Sequence, residues 1–186
     1  MWGLLMVLAA YPILTIGDPR LRLPSQPVLD TGDPELQRFI DAMLETVQTA
    51  HGVGIAAPQL GYPQRVLVLA SRPNPRYPQA PSMDPLVVIN PQTLAVSDQL
   101  EKGFEGCLSV PGQRGEVQRH QQVEVTYLDR LGQRQHQVWQ GFVARIYQHE
   151  FDHLEGRLFI DHLDPEEEVL SESAYQAQSV TASRVS

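Results

Sequence analysis

The chain has 186 residues, of which 42% are hydrophobic and 19% are charged. This length allows one domain with a sizeable core, and the composition is typical of a globular protein. A formal net charge of −8 argues against a protein whose main task is to hold nucleic acid or an anionic membrane, since both need clustered Lys and Arg. The single cysteine, Cys107, excludes an internal disulfide.

The first sixteen residues, "MWGLLMVLAAYPILTI", carry no charge. They are too short for a membrane span, Pro12 interrupts them, and the positive region of a signal peptide is missing. We therefore expect the fold to start at Tyr11–Ile16. Two interpretations of Met1–Ala10 stay open: a packed or frayed extension, or a stretch upstream of a true start at Met6.

The first helix is predicted within "GDPELQRFIDAMLETVQTAHG". Asp33 is a good N-cap, Pro34 suits the first helical position, and Gly52 is a plausible stop. The apolar residues follow the 3.6-residue period of a helix with one buried face. They are Leu36, Phe39, Ile40, Met43, Leu44 and Val47.

Short strands follow this helix. The β-rich runs at Arg65–Leu69 and Leu86–Asn90 are separated by the Pro-rich loop "SRPNPRYPQAPSMDP". Further on, Val123–Leu128 alternates, and the turn "DRLG" leads into Gln135–Trp139. This last pair of runs is typical of a β-hairpin.

A second helix is predicted from about Gly141 to Leu154. It contains "HEFDH", in which His149 and His153 lie one helical turn apart and match two corners of a tetrahedral metal site. Glu150 can reach a metal-bound water without being a ligand. The sequence therefore predicts an α+β fold, with short, mostly antiparallel strands in small sheets packed around a buried metal-binding helix.

The third ligand has to come from elsewhere in the chain. The four other histidines lie in no clear ligand pattern, and each is expected to be a surface or satisfied residue; they are His51, His120, His136 and His162. Cys107 has a more specific setting in "EGCLSVPG", because thiolate is a strong ligand and Gly106 and a Pro-Gly turn allow close approach.

The small residues of "GVGIAAPQ", Gly52–Gln59, let the chain pass close to another backbone or to a substrate. The stretch does not open a helix after a strand, which argues against a phosphate-binding loop. Taken alone, it leaves open whether Gln59 donates a hydrogen bond to an oxyanion or is a surface amide.

"GVGIAAPQ", "EGCLS" and "HEFDH" together resemble the three motifs of the peptide deformylase family, in the same order. The resemblance covers roughly Ile13–Leu163. It implies a hydrolase that removes the formyl group from the N-terminal formylmethionine of newly synthesised polypeptides and releases formate. It also implies a bacterial-type cytoplasmic enzyme that meets nascent peptides near the ribosome, with no membrane partner.

The resemblance assigns roles to individual residues. Cys107, His149 and His153 look like the ligands of one divalent metal ion, for which the family implies Fe(II), with Zn, Ni or Co able to replace it. Glu150 looks like the general acid/base. Gln59 and the backbone N–H of Leu108 look like the oxyanion donors, and Gly54 resembles the residue whose backbone pairs with the extended substrate.

A methionine side chain needs an apolar pocket, for which we predict Val53, Phe142 and Ile146. For Phe142 a plain core position is equally consistent with the sequence. Asp152 has no part in this chemistry and is expected to form a structural ion pair with Arg119 or Arg145.

Two other functions stay open at this point. One is a zinc peptidase in which Asp161 or His162 would supply the third ligand. The other is a non-catalytic metal-dependent binding module, which would leave Glu150 and Gln59 without a role.

We predict a single catalytic domain at residues 1–163 and an acidic, flexible tail at 164–186. The tail has five acidic side chains and one basic, a net charge of −4: Asp164, Glu166, Glu167, Glu168, Glu172 and Arg184. An acidic tail is repelled by RNA, so neither ribosome anchoring by the tail nor nucleic-acid binding by the chain is expected.

Overall fold

A computed structural model describes residues 11–164, 166 and 169–182. Its helices are α1 (Pro34–Thr49), α2 (Gly141–Leu154) and α3 (Glu172–Ala182), with 3-10 turns at Pro19–Arg22, Ala57–Leu60 and Phe159–His162. Its strands are β1 (Gly54–Ala56), β2 (Val66–Leu69), β3 (Leu86–Val96), β4 (Leu100–Cys107), β5 (Val110–His120), β6 (Gln122–Leu128), β7 (Arg134–Gln140) and β8 (Leu170–Ser171). The predicted α+β class is confirmed.

The strands form two small sheets. One has the order β1-β2-β3-β6-β7 and the other β4-β5-β8, and the neighbouring strands are antiparallel. Along β2, Val66 and Val68 pack into the cluster with α1, while Leu67 and Leu69 pack into the cluster with α2. Because both faces of β2 are covered by helices, its sequence is a continuous apolar run rather than an alternating one.

The start of α1 is as predicted, since the Asp33 side chain accepts a hydrogen bond from the Glu35 N–H at 2.8 Å. The predicted stop is wrong. The helix ends at Thr49, and the residue with positive φ is His51, at 52°, rather than Gly52. Glycine at position 52 is explained by packing, because a Cβ there would lie only 3.1 Å from Val47 Cγ2.

The hairpin formed by β4 and β5 is absent from the sequence-based prediction. Its strands are polar and glycine-containing, and a register shift separates Glu105 from Cys107, so the alternation that marks a half-buried strand is weak. The predicted turn at Pro111–Gly112 is also wrong. Both residues lie in β5, and the chain turns at Leu108–Ser109.

The described part of the tail has secondary structure. Leu170 and Ser171 pair with Arg114 and Gln113 of β5, and α3 begins directly afterwards. The boundary at residue 163 and the flexibility of the tail remain predictions, and the two interpretations of Met1–Ala10 concern residues outside the described ranges. None of the helices in those ranges is long and apolar enough to cross a membrane.

Candidate metal centre

Two structural elements bring the three predicted ligands together. Cys107 ends β4, whereas His149 and His153 lie one turn apart on the buried face of α2. One candidate ligand atom from each residue lies within 4.8 Å of the other two, and Cys107 Sγ is 3.2 Å from His153 Nε2. All three side chains are buried, so little of their surface is exposed to solvent.

The electrostatics of the cluster favour a thiolate. Burial by itself raises the pKa of Cys107, but the charges and hydrogen bonds of His153 and His149 outweigh it and hold the pKa well below its usual range. The sulfur also accepts hydrogen bonds from the Ser109 N–H at 3.3 Å and from Gln59 Nε2 at 3.5 Å. Because thiolate is the form of cysteine that binds metals, these residues fit a divalent ion.

Glu105 is a residue of the candidate site that sequence reasoning missed. Its buried carboxylate accepts a hydrogen bond from His149 Nδ1 at 2.8 Å, which directs the other ring nitrogen of His149 toward the cluster. Arg119 Nε and Arg145 Nη1 lie 2.9 and 3.0 Å from Glu105 Oε1. Burial opposes ionisation of Glu105, yet the hydrogen bonds and charges of His149 and Arg119 hold its pKa well below the usual range. Its only sequence signal was its place in "EGCLS".

The predicted ion pair of Asp152 is confirmed for Arg119, whose Nη1 lies 2.7 Å from Asp152 Oδ2. Arg145 pairs with Glu105 instead. His162 Nε2 lies 2.8 Å from the same Asp152 oxygen, and Asp161 pairs with Arg22. Asp161 and His162, either of which would have been the third ligand of a zinc peptidase, therefore form their contacts away from the cluster.

Glu150 is buried on α2 next to His149 and is only 4% exposed. Its Oε2 has no hydrogen-bond partner within the described part of the chain. Burial raises its pKa to about 7, although the charges of His149 and His153 act in the opposite direction. A buried carboxyl group that is poised near neutrality and has a free oxygen is suited to transfer protons.

Gln59 is buried, so the surface-amide interpretation is wrong. Its Oε1 accepts the Ala56 N–H at 2.8 Å, which turns Nε2 toward Ser109 Oγ at 3.1 Å and toward the Cys107 sulfur. The chain before the first 3-10 turn holds the backbone of Gln59 and Ser109 in place. The backbone N–H groups of Leu14 and Ile16 donate to the carbonyl oxygens of Gln59 and Ser109, both at 2.7 Å.

An open cleft leads from the surface to this cluster. It lies between the edge strand β1 and the β4–β5 hairpin. The predicted substrate-binding, oxyanion and proton-transfer residues all line it; they are Val53, Gly54, Gln59, Leu108, Phe142, Ile146 and Glu150. Phe142 is half-buried and borders the cleft, so it is not a plain core residue.

Glycine is required at position 54. A Cβ there would lie 2.6 Å from Glu150 Oε1 and 2.8 Å from Ile146 Cγ2. The absence of a side chain lets the backbone of β1 run directly beside Glu150 at the wall of the cleft.

The family model described as polypeptide deformylase matches residues 10–169. The chain belongs to the peptide deformylase family. Peptide deformylase 2 of Nostoc sp. is 50% identical to it over 165 residues, which cover 89% of this chain and 92% of the relative. Peptide deformylase 2 of Shewanella oneidensis is 52% identical over 131 residues, or 70% of this chain and 72% of that one.

Solved structures of peptide deformylases have the same fold. The class I type b enzyme from Acinetobacter baumannii, determined with Met-Ala-Ser bound, is 46% identical with a TM-score of 0.80 and covers 83% of this chain and 98% of that one. The Synechococcus elongatus enzyme in complex with actinonin is 38% identical with a TM-score of 0.75, covering 84% and 80%.

Membership in the family settles the class of reaction. Peptide deformylases are hydrolases that act on a linear amide and remove the formyl group from N-terminal formylmethionine. The zinc-peptidase and the non-catalytic interpretations are therefore wrong for this chain. The Cys107, His149 and His153 group is its candidate metal-binding site.

Proposed function

We propose that this deformylase binds the formylmethionine end of a peptide in the cleft, with the formyl group at the Cys107–His149–His153 cluster. The observation that carries this proposal is the buried Oε2 of Glu150, which lies in the cleft beside the cluster and has no hydrogen-bond partner in the described ranges. Glu150 is thus an acid/base group whose second oxygen is available at the place where a water molecule and the formyl amide would meet.

The three ligands are proposed to hold one divalent ion, Fe(II) in the native enzyme, with Zn, Ni or Co able to take its place. Two imidazoles and a thiolate suit each of these metals. An ion held there supplies Lewis-acid chemistry, because it polarises a carbonyl group and makes a water molecule more acidic. Glu105 is proposed to keep His149 in the orientation that binding requires.

Protein groups carry the proton transfers in the proposed mechanism. Glu150 accepts a proton from the attacking water and then delivers it to the departing amine of the methionine. The charge that develops on the formyl oxygen accepts hydrogen bonds from Gln59 Nε2 and the Leu108 N–H. Each such preorganised donor typically contributes about 2.7–4 kcal/mol to the stability of the transition state.

The apolar lining of the cleft supports recognition of methionine. Val53, Phe142 and Ile146 are proposed to contact its side chain, whose burial stabilises the complex by about 1.5–3 kcal/mol. Gly54 is proposed to pair with the peptide backbone, since β1 is an edge strand beside the cleft. The Met-Ala-Ser bound to the Acinetobacter enzyme has the composition that deformylation of formyl-Met-Ala-Ser would leave.

The distinguishing assay compares formyl-Met-Ala with acetyl-Met-Ala. The enzyme should release formate from the first and act on the second at least about 100-fold more slowly, because an acyl site formed for a formyl hydrogen discriminates against an added methyl group. Mass spectrometry distinguishes the deacylated Met-Ala from the products of cleavage at the Met–Ala bond. Equal rates on both peptides, or cleavage of the Met–Ala bond, would contradict the proposal.

The natural partners are proposed to be N-formylmethionyl nascent peptides, met in the cytoplasm close to the ribosome, without nucleic-acid binding by the enzyme. The acidic tail supports the lack of nucleic-acid binding, because the negative charge of RNA repels the tail. Co-sedimentation with ribosomes should be equally weak for the full chain and for a chain that ends at residue 163. A loss of binding on truncation would identify the tail as an anchor.

A further inference from the structure

Arg114 of β5 is fully buried, with a relative exposure of 0%. Its Nε and Nη2 donate to the two carboxylate oxygens of Glu172, the first residue of α3, at 2.9 and 3.0 Å. Its guanidinium lies over the Tyr77 ring at 4.5 Å and over the Tyr175 ring at 4.8 Å. Because a buried charge is costly without partners, α3 supplies much of what makes this position of Arg114 stable.

On its other side Arg114 contacts the wall of the active-site cleft. Its Nη2 donates to the Arg76 carbonyl at 3.2 Å, and Arg76 and Tyr77 both line the cleft. Gly106, next to Cys107, has room only for hydrogen, since a Cβ there would lie 2.8 Å from Arg114 Cδ. Arg114 thus joins the tail to both the β2–β3 loop and the strand that carries a metal ligand.

Tyr77 lines the cleft and is half-buried, so it lies where the cleft meets solvent. Its hydroxyl accepts the Gly106 N–H and donates to the Gly106 carbonyl, both at 3.3 Å, and its ring packs against Phe142 at 5.4 Å. Gly106 has no strand partner in the β4–β5 register, so Tyr77 takes the place of one. The position of this side chain therefore sets the width of the cleft between Phe142 and β4.

The cleft has a buried end and an open end. Cys107, Gln59 and Glu150 lie at the buried end, whereas Arg76 and Tyr77 are only half-buried. A peptide whose formyl group lies at the cluster has to leave toward solvent, and its residues after methionine then pass Tyr77. Phe104, which also lines the cleft, packs on Tyr175 of α3 at 5.1 Å, a second contact between the tail and the cleft.

We infer that Arg114 is a positioning residue, held by Glu172 and Tyr175 of α3 so that Tyr77 forms the wall that binds the substrate residues after methionine. The C-terminal helix thereby contributes to peptide affinity although neither Glu172 nor Tyr175 is among the residues that line the cleft. The inference rests on the proposed binding mode, in which the formyl group lies at the buried end.

The test compares Glu172→Ala with the matched control Glu166→Ala, an exposed carboxylate of the same tail. Each variant is assayed on formylmethionine amide, which has no residue after methionine, and on formyl-Met-Ala-Ser. For Glu172→Ala we expect the KM for formyl-Met-Ala-Ser to rise about tenfold, with kcat within about twofold of wild type. The KM for formylmethionine amide, the metal content and all values for Glu166→Ala should stay at wild-type levels.

Glu172→Gln and Tyr175→Leu extend the test if Glu172→Ala does not fold. Glu172→Gln keeps an acceptor for Arg114 and should give a smaller rise in KM, and Tyr175→Leu should change the same KM in the same direction. An unchanged KM for formyl-Met-Ala-Ser, an equal rise for both substrates, or a fall in kcat with loss of metal would overturn the inference. A wild-type enzyme inactive on both substrates would instead overturn the proposed function.

Discussion

Replacing Glu150 with alanine should abolish formate release while leaving the metal content nearly unchanged. Glu150 lies outside the three-residue cluster, and its Oε2 has no hydrogen-bond partner among the described residues. In the proposed mechanism its loss removes the proton carrier without opening the metal site. Acid/base groups of this kind typically contribute about 10²–10⁴-fold in rate. We expect kcat for formyl-Met-Ala-Ser to fall by a factor in this range or larger. The metal content after dialysis should match that of the wild type.

Two further variants sharpen this prediction. Glu150→Gln keeps the size of the side chain but cannot accept the proton, so it should be as inactive as Glu150→Ala. Glu45→Ala changes an exposed glutamate on α1 and should retain wild-type activity. An active Glu150→Ala enzyme would show that another group moves the proton, and loss of metal in that variant would move Glu150 into the ligand set.

The second large effect is expected for Cys107→Ala, which should lose both the metal and the activity. In the proposed site the Cys107 thiolate is the third ligand, and two imidazoles alone would leave the site incomplete. Replacing even a residue that only supports a ligand typically weakens metal affinity 10–100-fold, so we expect at least about 100-fold weaker binding when the ligand itself is removed.

His136→Ala is the control, because His136 is an exposed histidine that pairs with Glu124 rather than with the cluster. It should keep the metal and the activity of the wild type. A Cys107→Ala chain that retained its metal through dialysis would mean that other residues complete the site.

The residues of the metal site that could be predicted from the sequence share a local pattern. His149, Glu150 and His153 occur within five residues of one helix, whose boundaries follow from its apolar period and from Gly156. Cys107 stood out by its setting in "EGCLSVPG", and its role as third ligand was assigned by the resemblance to the family's motifs. Local spacing therefore predicted the two histidine ligands and Glu150, and the resemblance supplied the third ligand.

The contacts that organise the site are long-range and left little local signal. Glu105 pairs with Arg119, Arg145 and His149, which are 14 to 44 residues away along the chain. The β4–β5 hairpin that carries Glu105 lacks the alternation of a half-buried strand, so the pairing was not predicted. Similarly, the tail is expected to be flexible because its sequence is rich in charge and serine. The ion pair between Arg114 and Glu172 of α3 is a long-range contact that this local composition does not reveal.

The most direct test of the metal-dependent mechanism is an anaerobic titration of the metal-free chain with Fe(II), during which formate release from formyl-Met-Ala-Ser is followed. Activity should rise in proportion to the added ion and level off at one ion per chain, and Cys107→Ala should show no rise over the same range. Full activity without added ion, a plateau at two ions per chain, or wild-type activity of Cys107→Ala would contradict a one-metal site built from Cys107, His149 and His153.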